Sequence, residues 1–191
     1  MAKKFSSKVN VEEGKFAILD EGAYTDITDL SGLQTSEYAP VVANASLYGD
    51  GAKLDEINEI TSATLTDVSA GEPIENIAIL SGQDGAGGEF SEGSGDSPPV
   101  VGRSYIATLR KGGVGQTTVT GYVAYFCPAV KYAPVTDSLT AKTDGVTYST
   151  TSLVGTCFPD DSGKFRYRKE FTGATPLDDA RAWVSDKFGE E

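Results

Sequence analysis

Hydrophobic and polar residues alternate along the second half of the chain in a pattern that predicts a run of β-strands. Between positions 100 and 171, five segments rich in Val, Thr, Tyr and Phe are separated by turn-forming residues. Such side chains suit a pleated, half-buried surface. We expect strands over residues 100–111, 116–127, 129–135, 145–158 and 164–171.

The predicted strands differ in how many of their faces are apolar. One face of the last strand carries mainly aromatic side chains: Phe165, Tyr167 and Phe171, joined by Lys169. The opposite face carries only charged side chains: Lys164, Arg166, Arg168 and Glu170. One face is therefore expected to pack and the other to meet solvent. Residues 116–127 are apolar on both faces, so we expect a helix, a second sheet or another subunit to cover them.

The first half of the chain is more polar and predicts fewer elements. Its short strands are expected over residues 15–20, 40–48 and 57–68. Gly49, Asp50 and Gly51 form a strong turn signal after the second of these strands. Residues 21–38 hold few large apolar side chains and predict a loop, whereas residues 1–14 predict either a mobile arm or an added strand.

Two segments have the apolar spacing of a helix. Residues 73–80 begin with Pro, repeat an apolar residue every third position and are followed by Gly, which favours a short helix. Residues 176–188 follow Thr175, a good N-capping residue, and carry an apolar stripe that predicts a C-terminal helix. Residues 81–99 consist of Gly, Ser and acids with one aromatic, Phe90, which predicts a flexible acidic loop.

The chain length of 191 residues fits one domain, and these elements predict a mainly β (α+β) fold with antiparallel strands. The 16 basic and 28 acidic side chains give a net charge of −12, which disfavours bound nucleic acid. Polar residues follow the N-terminal Met-Ala-Lys-Lys, so no secretory signal is expected, and no segment approaches the ~20 apolar residues of a membrane helix.

Side chains that carry catalysis or bind metals are sparse in this sequence. There is no His, so a catalytic triad lacks its base, and Cys127 and Cys157 do not form a zinc pattern. We expect both to be free, half-buried thiols, although their positions near strand ends leave a disulfide open. Calcium-loop spacing is also absent from the acids of the predicted loop: Asp84, Glu89, Glu92 and Asp96. We therefore predict no enzymatic activity, no cofactor and no metal.

A glycine-rich motif at residues 111–118 (KGGVGQTT) resembles the deviant phosphate-binding loop of partition-type ATPases. The Lys that reaches the phosphates in those enzymes is replaced here by Gln116. Such a loop must also open a helix, because helix N–H groups hold the phosphate, and the residues that follow here predict a strand. We interpret the motif as a hairpin turn.

The order of these patterns resembles that of the major tail protein of long-tailed, non-contractile bacteriophages, the subunit that builds the tail tube. The resemblance covers most of the chain and rests on order and pattern, with no catalytic signature. Its best segments are residues 47–50 (LYGD), 59–66, 80–82 (LSG), 105–113 (YIATLRKGG), 122–128 (YVAYFCP), 165–168 (FRYR) and 175–183 (TPLDDARAW).

This resemblance implies an antiparallel β-sandwich or incomplete barrel with a short helix and a flanking C-terminal helix. It implies six copies to a ring and stacked rings that form a tube, through which DNA passes without specific binding. Tape measure and tail-end proteins are the further partners implied, and the location implied is the virion tail, assembled in the host bacterial cytoplasm. We expect contacts between subunits at four residues: Lys164, Arg166, Arg168 and Phe90.

A ligand- or carbohydrate-binding β-sandwich module is the alternative function. Its candidate aromatic platforms are Tyr24, Tyr38 and Trp183. Such a module is expected to stay monomeric and to saturate with a small molecule, whereas a tube protein forms large assemblies without a ligand.

Overall fold

The computed structural model describes residues 6–50, 52–111, 118–135 and 150–190, and these ranges contain ten β-strands and two α-helices. The strands are β1 (Ser6–Asp20), β2 (Ala23–Leu30), β3 (Leu33–Gly49), β4 (Ala52–Ser69), β5 (Asp84–Ala86), β6 (Glu89–Ser91), β7 (Val100–Lys111), β8 (Val119–Tyr132), β9 (Thr151–Phe158) and β10 (Tyr167–Phe171). The helices are α1 (Ile74–Ser81) and α2 (Pro176–Phe188).

Eight strands form one antiparallel sheet, and within the described strands this sheet stays open. Its order is β2-β1-β7-β8-β9-β4-β3, with β10 paired to the first part of β8. Although β1 and β3 lie five places apart in this order, they contact each other, so the sheet is strongly curled. The predicted mainly β (α+β) class with antiparallel strands and two helices is confirmed.

The two faces of the curled sheet bury separate apolar clusters. The concave face encloses the larger cluster, which includes Phe16, Leu65 and Leu153. On the convex face, α2 packs through Ala180, Val184 and Phe188 and covers a second cluster. The residues of β8 alternate between the two: Val123 and Tyr125 belong to the first cluster, Ala124 and Phe126 to the second. The expectation that both faces of this strand are covered is confirmed.

Both helices end as their sequences predict. Gly82 follows α1 and Gly189 follows α2, each in the left-handed backbone region, with φ of 69° and 77°. Glycine adopts this conformation without a steric penalty, which is why it favours a helix stop. An ion pair between Arg181 and Glu13 links α2 to β1.

Pro128 does not separate two strands, and the predicted break between residues 116–127 and 129–135 is wrong. A single strand, β8, runs through it. On one edge of β8, pairing with β10 ends at Phe126 and pairing with β9 begins at Ala129. On the other edge, the register with β7 shifts between Val101 and Arg103. The proline, which has no N–H to donate, therefore falls where neither neighbouring strand is in regular register with it.

Residues 21–38 are mostly strand, so the loop predicted there is wrong. They hold β2 and the start of β3. Of the two alternatives for the N-terminus, an added strand describes residues 6–14, which lie in β1 and pair with β7. Polar edge residues gain their order from these tertiary pairings, which local composition does not reveal.

Three further predictions differ from the structure in the bounds or the number of their strands. The expected strand over residues 145–158 is observed as β9 from Thr151, and residues 145–149 lie outside the described residues. The expected strand over residues 164–171 begins only at Tyr167. Residues 81–99 contain a small hairpin, β5–β6, which the sequence pattern did not predict, and their flexibility stays a prediction.

Neither helix in the described part of the chain is long and apolar enough to cross a membrane. Cys127 and Cys157 are both fully buried free thiols, rather than half-buried ones. They lie in β8 and β9, and these two strands pair with each other from Ala129 and Phe158 onwards.

Candidate self-assembly surfaces

The most prominent surface feature is the hairpin formed by β3 and β4, which extends well beyond the rest of the sheet. The two strands pair from Leu33 and Ser69 at the base to Gly49 and Ala52 at the tip. Among the strands that the structure describes, only the segment from Ala63 to the base also pairs with β9. Beyond Ala63 the described part of the hairpin is therefore a ribbon of two strands, which we call the distal hairpin (residues 40–50 and 52–62).

The distal hairpin exposes large apolar side chains on both of its faces. Val42 lies opposite Ile60, and Ala45 lies opposite Ile57. Because residues 42 and 45 are an odd number of positions apart, the two pairs point to opposite faces. In the described chain, seven large apolar side chains of the distal hairpin are each 44–67 % exposed: Val41, Val42, Leu47, Tyr48, Leu54, Ile57 and Ile60.

Such a ribbon is poorly suited to stand alone in water. A two-stranded hairpin without a covered apolar face is marginally stable, and contiguous exposed apolar surface marks an interaction site. Both faces of the distal hairpin therefore offer apolar surface on which another protein chain can pack. The sequence contained a signal for this surface, because residues 40–48 and 57–68 predict strands, but it did not reveal that the strands leave the core.

A second feature is a cleft of about 570 Å³ lined by cations and tyrosines, which we call the basic cleft. Its walls come from the first part of β1 and the first part of β3, and its floor from β7 and β8. The charged residues that line it are three cations and one carboxylate: Lys8, Arg166, Arg168 and Glu37. The aromatic residues that line it are Tyr38, Tyr105 and Tyr125.

Arg166 organises the basic cleft by lying between two tyrosine rings. Its guanidinium carbon is 3.9 Å from the ring centre of Tyr38 and 5.4 Å from that of Tyr125. Tyr105 stacks on Tyr125 with ring centres 4.7 Å apart, and Lys8 lies 5.3 Å above Tyr125. Cations over aromatic faces at these distances are attracted by the ring quadrupole. Burial raises the pKa of Tyr105 to about 12, so the phenol is neutral at pH 7.

The three predicted contact cations do not share one strand face, and this part of the prediction is wrong. Arg166 precedes β10 and is half-buried in the basic cleft, while Arg168 is exposed at its rim. Lys164 lies in a separate turn, where its backbone N–H donates to Asp160. The alternation of aromatic and charged residues over 164–171 predicted one long strand, whereas the regular strand starts only at Tyr167.

Asp160 shapes that turn. One of its carboxylate oxygens accepts hydrogen bonds from the backbone of Ser162 and Lys164, and the other accepts one from the Tyr167 hydroxyl. Partial desolvation opposes ionisation, but these hydrogen bonds outweigh it and lower the pKa of Asp160 to about 2. The turn directly precedes Arg166 and β10 in the chain.

The hairpin β5–β6 forms a small two-stranded sheet separate from the main one, and we call it the acidic tongue (residues 84–92). Two glycines with positive φ, Gly87 and Gly88, make its turn. Phe90 pairs opposite Gly85 and is half-buried, whereas Glu89 and Glu92 beside it are exposed. The predicted contact residue Phe90 thus lies on a defined hairpin flanked by carboxylates.

A buried ion pair joins the base of the β3–β4 hairpin to β7. Arg103 on β7 donates through Nε to Asp67 Oδ2 on β4 at 3.0 Å, and Tyr132 on β8 donates to the same oxygen at 2.7 Å. Arg103 and Asp67 are fully buried. Burial alone would lower the pKa of Arg103, but the carboxylate of Asp67 raises it, so the guanidinium stays charged.

Two of the three aromatic residues proposed as platforms for a bound ligand or carbohydrate pack against other aromatic rings of the chain. The ring of Tyr24 packs edge-on against Phe126 and Phe188, and its hydroxyl donates to the carbonyl of Pro128 at 2.9 Å. Trp183 packs against the ring of Phe171. Of the three predicted platforms, Tyr38 is the one that lines a cleft.

The glycine-rich motif lies where two adjacent strands meet. Residues 112–117, including Gln116, lie outside the described residues, but Lys111 donates its backbone N–H to Thr118 at 3.1 Å and β8 begins at Val119. A strand follows the motif rather than the helix that a phosphate loop requires. In the residues that the structure describes, no group of three or more acids and thiols is arranged to hold a metal ion.

Comparison with known proteins adds no family: no family model matches the chain, and a search of the curated proteins finds no match. The functional inference therefore rests on the surfaces described above and on the resemblance in sequence pattern.

Proposed function

We propose that the chain is a structural virion protein, a tail tube subunit that assembles with copies of itself into stacked hexameric rings. The observation that carries the self-assembly part of this proposal is the distal hairpin, with its exposed apolar side chains on both faces. The hexameric ring and the tail tube follow the resemblance in sequence pattern. In this role the subunit forms the conduit for DNA ejection in the virion tail.

The remaining surfaces are consistent with a building block. The side chains of β8 are covered on both faces, one by the curled sheet and the other by α2, so a single copy is already folded. The distal hairpin is then available for neighbours, and burying each large apolar side chain there contributes about 1.5–3 kcal/mol. Tape measure and tail-end proteins are the further partners proposed for the ends of the tube.

The test is assembly of purified protein, followed by electron microscopy and sedimentation. Val42→Ser and Ile57→Ser remove one apolar side chain from each face of the distal hairpin. Each loss of about 1.5–3 kcal/mol raises the protein concentration needed for assembly by roughly 10–100-fold. The matched controls are Asn44→Ser and Asn58→Ser, which alter exposed polar residues of the same hairpin and are expected to assemble like wild type.

Two results would contradict the proposal. Wild-type protein that stays monomeric at high concentration would exclude a self-assembling tube. Tubes formed by the Val42→Ser/Ile57→Ser double variant at the wild-type concentration would show that the distal hairpin is not the contact.

A ligand- or carbohydrate-binding module remains the second candidate function, and the basic cleft with Tyr38 is the observation that favours it. Its volume of about 570 Å³ falls in the range of ligand clefts. A monomer that saturates with one small molecule and never forms tubes would support this function instead.

A further inference from the structure

The basic cleft is an exception in a strongly acidic protein. Its lining holds three cations and one carboxylate, whereas the whole chain has a net charge of −12. Among the described residues, Lys8, Arg166 and Arg168 form no ion pair. Tyrosine rings beneath them add an apolar floor. The cleft therefore presents the chemistry that binds a carboxylate-bearing aromatic segment.

The acidic tongue carries that complementary chemistry. Glu89 lies next to the turn of the hairpin, Phe90 follows it in β6, and Glu92 comes directly after β6. This hairpin forms a sheet separate from the main one. The acidic turn at residues 20–22 lacks this combination, because its neighbouring aromatic, Tyr24, is packed against Phe126 and Phe188.

We propose that the basic cleft of one copy binds the acidic tongue of a neighbouring copy. This inference rests on the proposed self-assembly and names a second contact, distinct from the distal hairpin. Phe90 packs beside the half-buried ring of Tyr38 on the wall of the cleft, and the flanking carboxylates meet Lys8 and Arg168 at the rim.

The two parts of this contact contribute differently. Aromatic pairs in offset or edge-on arrangements add about 0.5–1.5 kcal/mol beyond the area they bury. Paired rim charges mainly steer association and select the register of the partner, whereas like charges that face each other strongly oppose binding. A contact of this kind decides which face of one subunit meets the next, whereas the apolar hairpin supplies most of the burial.

A peptide assay tests the cleft without requiring tubes. The probe is a synthetic peptide of residues 82–93, titrated into the full chain at a concentration where the chain is monomeric, with tyrosine fluorescence as the readout. Saturable binding that weakens with salt is expected. The control peptide carries Glu89→Lys and Glu92→Lys, and its binding is expected to be at least about tenfold weaker.

Variants of the chain locate the peptide site. Lys8→Glu combined with Arg168→Glu alters only exposed rim residues, so the fold is retained. We expect this variant to bind the wild-type peptide at least about tenfold more weakly and to bind the Lys-containing peptide instead. Lys164→Glu is the matched control, because Lys164 lies outside the cleft, and its binding is expected to be unchanged.

Charge exchange then tests the contact within assemblies. The rim variant and a Glu89→Lys/Glu92→Lys tongue variant are each expected to assemble poorly, and a chain that combines all four substitutions is expected to recover. Equal binding of both peptides, or no recovery in the combined chain, would overturn the inference. Binding of a small anion or of nucleic acid at the cleft in place of the tongue peptide would also overturn it.

Failure of this inference and failure of the proposed function give different results. If tubes form equally well from wild type and from the rim variant, the proposed function is supported and the proposed tongue contact is excluded. Specific peptide binding by a chain that never forms tubes retains a contact between copies and removes the tail tube.

Discussion

Arg103 is the residue through which the curled sheet is held together across its interior. It reaches from β7 to Asp67 on β4, three strands away in the sheet order, and also donates to the backbone of Lys15 at 3.2 Å. Gly14 lies so close to the guanidinium that an added Cβ would approach Nη2 to 2.9 Å. The charge is thus enclosed on several sides by the chain.

We predict that Arg103→Met lowers the free energy of unfolding by about 3–5 kcal/mol, because it leaves the buried carboxylate of Asp67 without its cation. The measurement is urea unfolding followed by circular dichroism. Adding Asp67→Leu is expected to restore much of the loss, since an apolar pair of similar volume often replaces a buried ion pair at little cost. Arg168→Met, at an exposed position, is the control and should change stability by less than about 0.5 kcal/mol.

Asp160 gives a prediction for acid pH. Its folded pKa of about 2 lies below the ordinary aspartate value of about 3.9, so its hydrogen bonds stabilise the fold above that ordinary value. This stabilisation is lost as pH falls from about 4 towards 2. We expect Asp160→Ala to be less stable than wild type at pH 6 and the two to converge near pH 2, as measured by thermal unfolding. A stability difference between wild type and Asp160→Ala that stays constant with pH would contradict the stabilising role given to the ionised Asp160 carboxylate.

At the scale of elements, the sequence correctly predicted the helices and strands whose local residue pattern matches the way they pack in the fold. Both helices were found because apolar spacing, capping residues and a terminal Gly coincide. β2 was missed because half of its residues are exposed, and its order comes from pairing with β1. Of the residues expected at subunit contacts, Arg166 lines the basic cleft and Phe90 lies on the acidic tongue, and their part in contacts stays a prediction. The sequence did not reveal the cleft itself, because β1 and β3 form its walls by approaching each other.

The distal hairpin gives a prediction about local stability. Among the described strands, residues 43–49 and 52–59 pair with one neighbouring strand, whereas residues 65–68 lie between β3 and β9. Opening of a two-stranded ribbon requires less free energy, so we expect amide hydrogens of the distal hairpin to exchange faster in the free subunit. Hydrogen exchange with mass spectrometry measures this. Assembly should slow exchange in the distal hairpin and leave residues 65–68 unchanged; equal rates in both segments of the free subunit would contradict the prediction.

At the scale of the whole molecule, the exposed apolar side chains and the cations of the basic cleft lie in two different places. The core is filled on both faces of the sheet, and the apolar surface left over is concentrated in the distal hairpin. The chain as a whole carries a net charge of −12, while the cations of the basic cleft lie together over tyrosines. A net negative charge of this size repels polyanions, and the basic cleft is a local exception to it.

The last prediction follows from this distribution and concerns DNA. A subunit of net charge −12 is expected to bind duplex DNA too weakly to detect at physiological salt, because phosphate binding requires an extended basic face and exposed charges are screened beyond roughly 8 Å. The measurement is fluorescence anisotropy of a labelled duplex at about 50 and 150 mM salt, with wild type and the Lys8→Glu/Arg168→Glu variant side by side. Absence of binding by both proteins is the expected result and suits a conduit through which DNA slides. Salt-sensitive binding by wild type that disappears in the variant would instead identify the basic cleft as a nucleic-acid site and exclude the tongue as its occupant.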